Sequence, residues 1–230
     1  MKKMNKINSA ILLGAGFGTR MKPLSNITPK PLIEVCGKPQ IRYIFDTIVD
    51  AGIENIFVNT HYLSDKMADY FKDHDATLIF ENEALETGGG VKNALNHLGD
   101  IFVVANTDSI VISDKQNFIN KMIQKFDDSM DGLLLLIDKE KASNYTGTGD
   151  LDVEENGNVV RNSNGKYVFC GVQILRKSCF YDSPDGAFSL NLIYDKLQKK
   201  GRLKTIIHTG NWYHISTPQD VDIVNKKGKL

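Results

Sequence analysis

Glycines and cations crowd one short stretch of this sequence. Leu13-Gly14-Ala15-Gly16-Phe17-Gly18-Thr19-Arg20-Met21-Lys22-Pro23-Leu24 is continued by Thr28-Pro29-Lys30-Pro31-Leu32. Glycine lets a backbone approach a ligand closely, and consecutive free N–H groups in a turn form an anion-binding nest. The cations Arg20, Lys22 and Lys30 stand just beyond it, where a polyphosphate would need them. The spacing points to a nucleoside triphosphate bound along Leu13, Gly14, Ala15, Gly16, Gly18 and Thr19. Two commoner glycine loops do not fit. A P-loop needs a Lys after its second glycine, at a spacing absent here. The dinucleotide fingerprint needs its third glycine one residue later than Gly18, and Pro23, Pro29 and Pro31 forbid the helix that should follow.

Two further stretches carry chemistry. Asn106-Thr107-Asp108-Ser109 follows the apolar run Ile101-Phe102-Val103-Val104-Ala105. A carboxylate at the tip of a buried strand can hold a divalent cation between phosphate oxygens, although an Asp there also caps turns. Glu81-Asn82-Glu83-Ala84-Leu85-Glu86-Thr87-Gly88-Gly89-Gly90 places three glycines ahead of a helix, which costs helix stability. A tight turn explains one of them. A flat base pressed against the backbone explains all three. His61 reads as a satisfied loop histidine, and His74, His97 and His208 have no mutual spacing.

These residues must be positioned by alternating elements. Ala10 to Leu13, Ile56 to Asn59, Thr77 to Phe80, Ile101 to Ala105 and Leu133 to Ile137 read as apolar strands. Between them, Ile41 to Val49, Leu63 to Phe71, Gly88 to Leu98 and Phe118 to Phe126 carry apolar residues at helical spacing. Strands apolar throughout and alternating with helices imply a largely parallel sheet covered on both faces. The rhythm changes near residue 140. Leu151 to Glu154 and Val159 to Arg161 flank Asn156-Gly157, a hairpin signal. A strand is expected over Tyr167 to Leu175, a helix over Phe188 to Lys199, and short strands over Arg202 to His208 and Trp212 to Ser216. Thr217 and Pro218 mark the start of a last helix.

The 230 residues suffice for one α/β domain with a sizeable core. The 28 basic and 28 acidic residues cancel, which argues against a nucleic-acid partner bound by bulk charge. No apolar run is long enough to span a membrane, and the Lys2, Lys3, Lys6 start lacks a secretory pattern. Cys36, Cys170 and Cys179 lack metal spacing and fit a reducing cytoplasm, with Cys170 in the core.

The pattern Gly-x-Gly-Thr-Arg-Met-x-Pro-Leu…Pro-Lys-Pro-Leu-Ile over Leu13 to Ile33 resembles the signature of the sugar-phosphate nucleotidyltransferases. Leu-Glu-Thr-Gly-Gly-Gly at 85–90 resembles the branch that uridylylates N-acetylmuramate 1-phosphate. The resemblance implies a single-domain, Rossmann-like nucleotide-diphospho-sugar transferase fold over 1–230. Residues 8–140 would be the nucleotide-binding half and 141–230 a hairpin-rich, sugar-binding half. No hexapeptide repeat follows, so the β-helix appended to some relatives is not expected. The implied reaction joins a nucleoside triphosphate, UTP, to a sugar 1-phosphate with release of pyrophosphate, in the cytoplasm and in peptidoglycan recycling.

It also implies roles. Arg20 would hold the departing pyrophosphate, Lys30 would lie between the α-phosphate and the incoming phosphate, and Asp108 would hold Mg²⁺. Glu83, Thr87, Gly88 and Gly89 would contact the nucleotide, and Asp150, Gly171 and Asn191 the acceptor. Relatives carry a second acid just before a Gly-Thr-Pro. In Trp212-Tyr213-His214-Ile215-Ser216-Thr217-Pro218 that place belongs to His214, either a second metal ligand or a neighbour of a metal held mainly by Asp108 and phosphate. A protonated His214 would help neutralise the triphosphate. A mannose or heptose 1-phosphate guanylyltransferase is the rival within the class. A non-catalytic nucleotide-sugar-binding protein is the rival outside it, disfavoured because Arg20, Lys30 and Asp108 are all present.

Overall fold

The structure, a computed structural model, describes residues 7–155, 157–228 and 230. Lys2, Lys3, Lys6 and Asn156 of the expected hairpin turn lie outside the described residues. The elements run β1 (Ser9–Leu13), β2 (Glu34–Val35), β3 (Lys38–Pro39), α1 (Gln40–Asp50), β4 (Asn55–Thr60), α2 (Ser64–Phe71), β5 (Thr77–Phe80), α3 (Glu86–Ala94), β6 (Ile101–Asn106), β7 (Ser109–Ile112), α4 (Phe118–Lys125) and β8 (Gly132–Asp138). The second half adds β9 (Ala142–Ser143), β10 (Leu151–Val153), β11 (Val159–Arg161), β12 (Tyr167–Arg176), α5 (Asn191–Lys199), β13 (Leu203–Ile207), β14 (Asn211–His214) and α6 (Pro218–Asn225).

Alternation along β1 shows how the sheet is buried on both faces. Ala10 and Leu12 face a core built with Ile41, Ile44 and Ile48 of α1, Met67 of α2 and Met122 of α4. Ile11 faces the other core, with Val91 and Ala94 of α3 and Ile193 and Leu197 of α5. Neighbouring side chains of a strand point to opposite faces, so a strand covered on both sides must be apolar throughout. Each fully buried Leu, Ile or Phe in these cores contributes about 1.5–3 kcal/mol. A third cluster, with Met21, Ile33, Ile110, Tyr213 and Val221, lies under the glycine-rich stretch.

The strands β5, β4, β1 and β6 are parallel neighbours in that order. The parallel run expected to continue into Leu133–Ile137 is interrupted: β12 enters antiparallel between β6 and β8, and β13 then pairs parallel with β8. The central sheet is therefore mixed, though mostly parallel. The β10–β11 hairpin extends the start of β12, and Asn158 bridges back to Lys204 on β13, so this lobe curls on itself. A smaller sheet, β7-β14-β9, escaped the sequence reading in its β7 strand.

Helix starts follow local chemistry. Thr217 caps α6 in a reciprocal box with Asp220, with Pro218 in the first turn, as the sequence implies. Two starts differ from expectation. α3 begins at Glu86 and takes the three glycines inside it, and α5 begins at Asn191, not Phe188. Both shifts have one cause, the docking of residues 186–190 on α3 described below.

Candidate active site

β1 is flanked by β4 on one side and β6 on the other, so the chain order reverses at the β1–β6 boundary. Open α/β sheets bind ligands at the carboxyl ends of their strands at such a boundary. A cleft of about 480 Å³ opens there, lined by residues 13–20 together with Lys30, Asn59, Glu81, Thr87 and Asp108. The Thr107 hydroxyl donates to the Leu13 carbonyl at 2.8 Å and locks the two strand ends together.

Gly14 is the rigid end of the loop. Its N–H donates to Asn59 Oδ1 at 2.7 Å, so it is not free for an anion. Among the described residues, the N–H groups of Ala15, Gly16 and Phe17 have no intramolecular partner. They form a cradle in the cleft wall. Gly18, Thr19 and Arg20 continue the wall, and Arg20 is exposed. Asn59 in turn donates to Glu81 Oε1 at 2.6 Å, and the Leu85 N–H reaches Glu81 Oε2 at 3.3 Å. Glu81 is 2% exposed. Burial pushes its carboxyl above the usual range, against the hydrogen bonds from Asn59 and Leu85 and the charge of His61.

The three glycines serve a different purpose from the one expected. Gly88 and Gly89 are buried in the first turns of α3, and neither lines the cleft. Both N–H groups donate to the Phe188 carbonyl, at 2.8 and 3.1 Å, which leaves them unavailable to a base. A Cβ on Gly88 would lie 2.5 Å from a Phe188 ring carbon and 2.7 Å from its carbonyl oxygen. One on Gly89 would collide with the Gly186 carbonyl, and one on Gly90 would sit 2.6 Å from Asn59 Nδ2. The glycines admit the segment 186–188 on one side and the Asn59–Glu81 pair on the other. Glu83 is exposed and off the cleft wall, whereas Thr87 lines it and accepts the Leu190 N–H at 3.0 Å. The carboxylate that the strand end delivers to the cleft is Glu81, two residues earlier than the one singled out by sequence. Its position directly after β5 was the available signal.

At the tip of β6, Lys30 Nζ lies 3.3 Å from Asp108 Oδ2. The Lys30 side chain is 13% exposed and Asp108 is 39% exposed, so the carboxylate retains an open side. β7 pairs antiparallel with β14 and sets His214 opposite Ser109, next to Asp108. The imidazole stacks on Trp212 at 5.8 Å and meets the Tyr145 ring edge-on at 6.2 Å. Burial lowers its pKa; the Asp108 charge opposes this and the Lys30 charge adds to it. Burial thus favours the neutral imidazole in the free protein, which counts against the help that a protonated His214 would give in neutralising a triphosphate. The donor set, one open carboxylate and one imidazole nitrogen, fits a cation bound mostly by substrate oxygens, not one caged by protein. Among the described residues no group of three or more acidic, His or Cys side chains could hold a metal by itself.

A second cavity of about 650 Å³ lies in the curled lobe. Asp150 and Asn191 both line it, brought together from residues 41 positions apart in sequence. Asp150 accepts from the Tyr145 hydroxyl at 3.2 Å and from the Phe169 N–H at 3.1 Å. Tyr145, at this cavity, touches His214, while Leu190, beside Asn191, bonds Thr87 of the cleft. The two spaces therefore share a border. Gly171 belongs to neither. It sits in a bulge of β12 at φ +82, buried under Asn106 and Ser109, where a Cβ would be strained and crowded. The bulge turns the Cys170 carbonyl toward Ser109 Oγ and Trp212 Nε1, tying the small sheet to the large one. Cys170 is fully buried and its thiol pKa is raised by burial, as a core residue requires.

What the cleft offers is charge and position: a cradle of donors, cations, a carboxylate, and room for a second substrate next to them. Those are the needs of nucleotidyl transfer between phosphates, and the fold and site together define a nucleotidyltransferase. Known proteins agree. The family model described as nucleotidyl transferase matches residues 9–162. The chain is 36% identical over 224 residues to the N-acetylmuramate alpha-1-phosphate uridylyltransferase of Caulobacter vibrioides, covering 91% of this chain and 92% of that one. It is 29% identical to the protein of the same name from Neisseria meningitidis serogroup B, at 90% and 93% coverage. Among solved structures, HddC from Yersinia pseudotuberculosis complexed with GMP-PN superposes with a TM-score of 0.77 at 27% identity, over 97% of this chain and all of that one. UDP-glucose pyrophosphorylase complexed with UDP-glucose shares the fold, with a TM-score of 0.80 at 17% identity, over 96% of this chain and 98% of that one. The chain belongs to the nucleotidyl transferase family, and its reaction is the transfer of a nucleotidyl group to a sugar 1-phosphate.

Proposed function

We propose that the donor is UTP, the acceptor N-acetylmuramate 1-phosphate, and the metal Mg²⁺. The observation that carries this reading is the Lys30–Asp108 pair at 3.3 Å, in the same cleft as the glycine cradle. The 36% identity to a uridylyltransferase of that acceptor supports the choice of substrates.

A sugar 1-phosphate is largely dianionic at neutral pH, so it needs no base to become a nucleophile. The barrier is repulsion between a dianion and a polyanionic triphosphate. The 15–17 backbone cradle and Arg20 hold the β- and γ-phosphates, so pyrophosphate departs against positive charge. Lys30 spans the α-phosphate and the attacking oxygen, which gains most in the transition state. The second cavity holds the sugar in line with the α-phosphorus. Asp108, assisted by neutral His214, would hold Mg²⁺, which supplies further charge neutralisation at the phosphate oxygens. Glu81 and Asn59 fix Gly14 and thereby the cradle. This acceptor would place the enzyme in peptidoglycan amino-sugar recycling in the cytoplasm. No helix among the described residues is long and apolar enough to cross a membrane.

A pyrophosphate-release screen of the four NTPs against a panel of sugar 1-phosphates tests the reading. UTP with N-acetylmuramate 1-phosphate should give the highest kcat/KM. A clear preference for GTP with a neutral hexose or heptose 1-phosphate would refute it.

A further inference from the structure

The second cavity contains a charge that the transfer of phosphate does not require. Among the described residues that line it, Arg161 is the one cation. It ends β11, and its Nε pairs with Asp195 Oδ1 of α5 at 3.1 Å. Its side chain is 42% exposed, and an arginine fork carries further N–H donors beyond Nε. The other charged lining residue, Asp150, is already engaged by the Tyr145 hydroxyl and the Phe169 N–H. Arg161 shares this cavity wall with the buried Tyr194 and with Asn191.

Part of the wall is apolar, formed by Leu134, Leu151, Val159, Phe169 and Leu203, and uncharged polar groups such as Asn162, Ser163 and Asn191 line the rest. A neutral sugar gives such a space hydroxyls but no anion, because its phosphate is committed to the border with Lys30 and Asp108. A cation beside an apolar wall fits a short carbon chain ending in a carboxylate, with the chain on the wall and the acid on the fork. We propose that Arg161 determines acceptor specificity by binding a carboxylate on the sugar, so that the second cavity selects acidic sugar 1-phosphates over neutral ones. The inference rests on the acceptor site assigned under Proposed function and deepens it. Asp195 is a positioning residue that orients the fork through Nε.

The test uses two acceptors with UTP: N-acetylmuramate 1-phosphate and its carboxamide, which differ only in the acid. The wild-type chain should favour the acid by about ten- to a hundredfold in kcat/KM, carried by KM, as a charge-assisted hydrogen bond implies. Arg161→Gln should bring the ratio close to one, and Arg161→Lys should restore part of it, because the charge returns without the fork. Asp195→Asn should keep a preference for the acid while weakening it. An Arg161→Gln enzyme that still prefers the acid as wild type does overturns the role of Arg161. A wild-type enzyme that uses both acceptors equally overturns it too, and leaves the acceptor site standing. A wild-type enzyme that uses neither, yet turns over another sugar 1-phosphate, refutes the acceptor assignment and the inference with it.

Discussion

Gly88→Ala separates two explanations of the glycine run. If the glycines existed to admit a base, alanine would leave the fold alone or even stabilise it, since Ala exceeds Gly in helix propensity by about 1 kcal/mol. The structure gives the opposite sign. The new methyl would lie 2.5 Å from a Phe188 ring carbon and 2.7 Å from the Phe188 carbonyl oxygen. One response keeps segment 186–188 in place and accepts overpacking, at about 1–3 kcal/mol. The other lifts the segment. That forfeits the hydrogen bonds from Gly88 and Gly89 to the Phe188 carbonyl, at about 1 kcal/mol each, and exposes part of a side chain that is 7% exposed. Set against the helix-propensity gain, the first response leaves a net loss of up to about 2 kcal/mol and the second at least about 1 kcal/mol. For a chain of this length each kcal/mol lowers Tm by about 2–4 °C. Thermal unfolding followed by calorimetry reads this directly. Gly16→Ala is the control, because a Cβ there meets nothing within 4 Å, and its Tm should match wild type. A Gly88→Ala protein as stable as wild type would refute the packing account.

Lys30→Ala should lower kcat by about 10²–10³-fold with a modest change in UTP affinity, because its contact matters most in the transition state; near-normal turnover would remove Lys30 from the chemistry. Asp108→Asn should be almost inactive while His214→Ala keeps Mg²⁺-dependent turnover and His214→Asp tightens the apparent Mg²⁺ affinity. Equal loss in Asp108→Asn and His214→Ala, rescued by His214→Asp, would make His214 a direct ligand. Asp220→Ala should cost about 1 kcal/mol through the lost capping box. Burial raises the Asp220 pKa, but hydrogen bonds from Ser216 and Thr217 outweigh it and hold the net value below the usual range. A depressed folded-state pKa gives stability that is present above the unfolded-state pKa of about 3.9 and lost as pH falls through the folded value. Urea unfolding at pH 7 should therefore show a wider gap between wild type and Asp220→Ala than unfolding in acid does.

Local chemistry was legible in the sequence wherever the cause was local. The Thr217-Pro218 helix start, the apolar strands and the cluster of cleft residues from Leu13 to Lys30 with Asp108 follow from spacing and strand ends. Where the cause lay far along the chain, the reading erred. The partner of Gly88 is Phe188, a hundred residues later, and no local pattern announces it, so a ligand was invoked for a gap that the chain itself fills. Gly171 is a similar case, since its neighbours Asn106 and Ser109 come from two other strands and it lines neither cavity. β7 was missed because its four residues follow the Asp108 turn without a break, and its role is visible only in the pairing that brings His214 alongside. Nothing local in the sequence joins Asp150 to Asn191, and the curl of β10 and β11 toward β13 puts both in one cavity.

Trp212 is the only tryptophan in the chain. It is 2% exposed, its indole N–H is bound to the Cys170 carbonyl, and its ring lies on His214 beside the carboxylate of the site. Excited beyond the absorption band of the eight tyrosines, the protein therefore emits from one indole beside the candidate site, with no second indole to dilute its signal. Occupation of the site by metal, nucleotide or nucleotide sugar should register as quenching or a spectral shift. Binding can then be followed in a stopped-flow instrument on the unlabelled enzyme, in real time and apart from turnover.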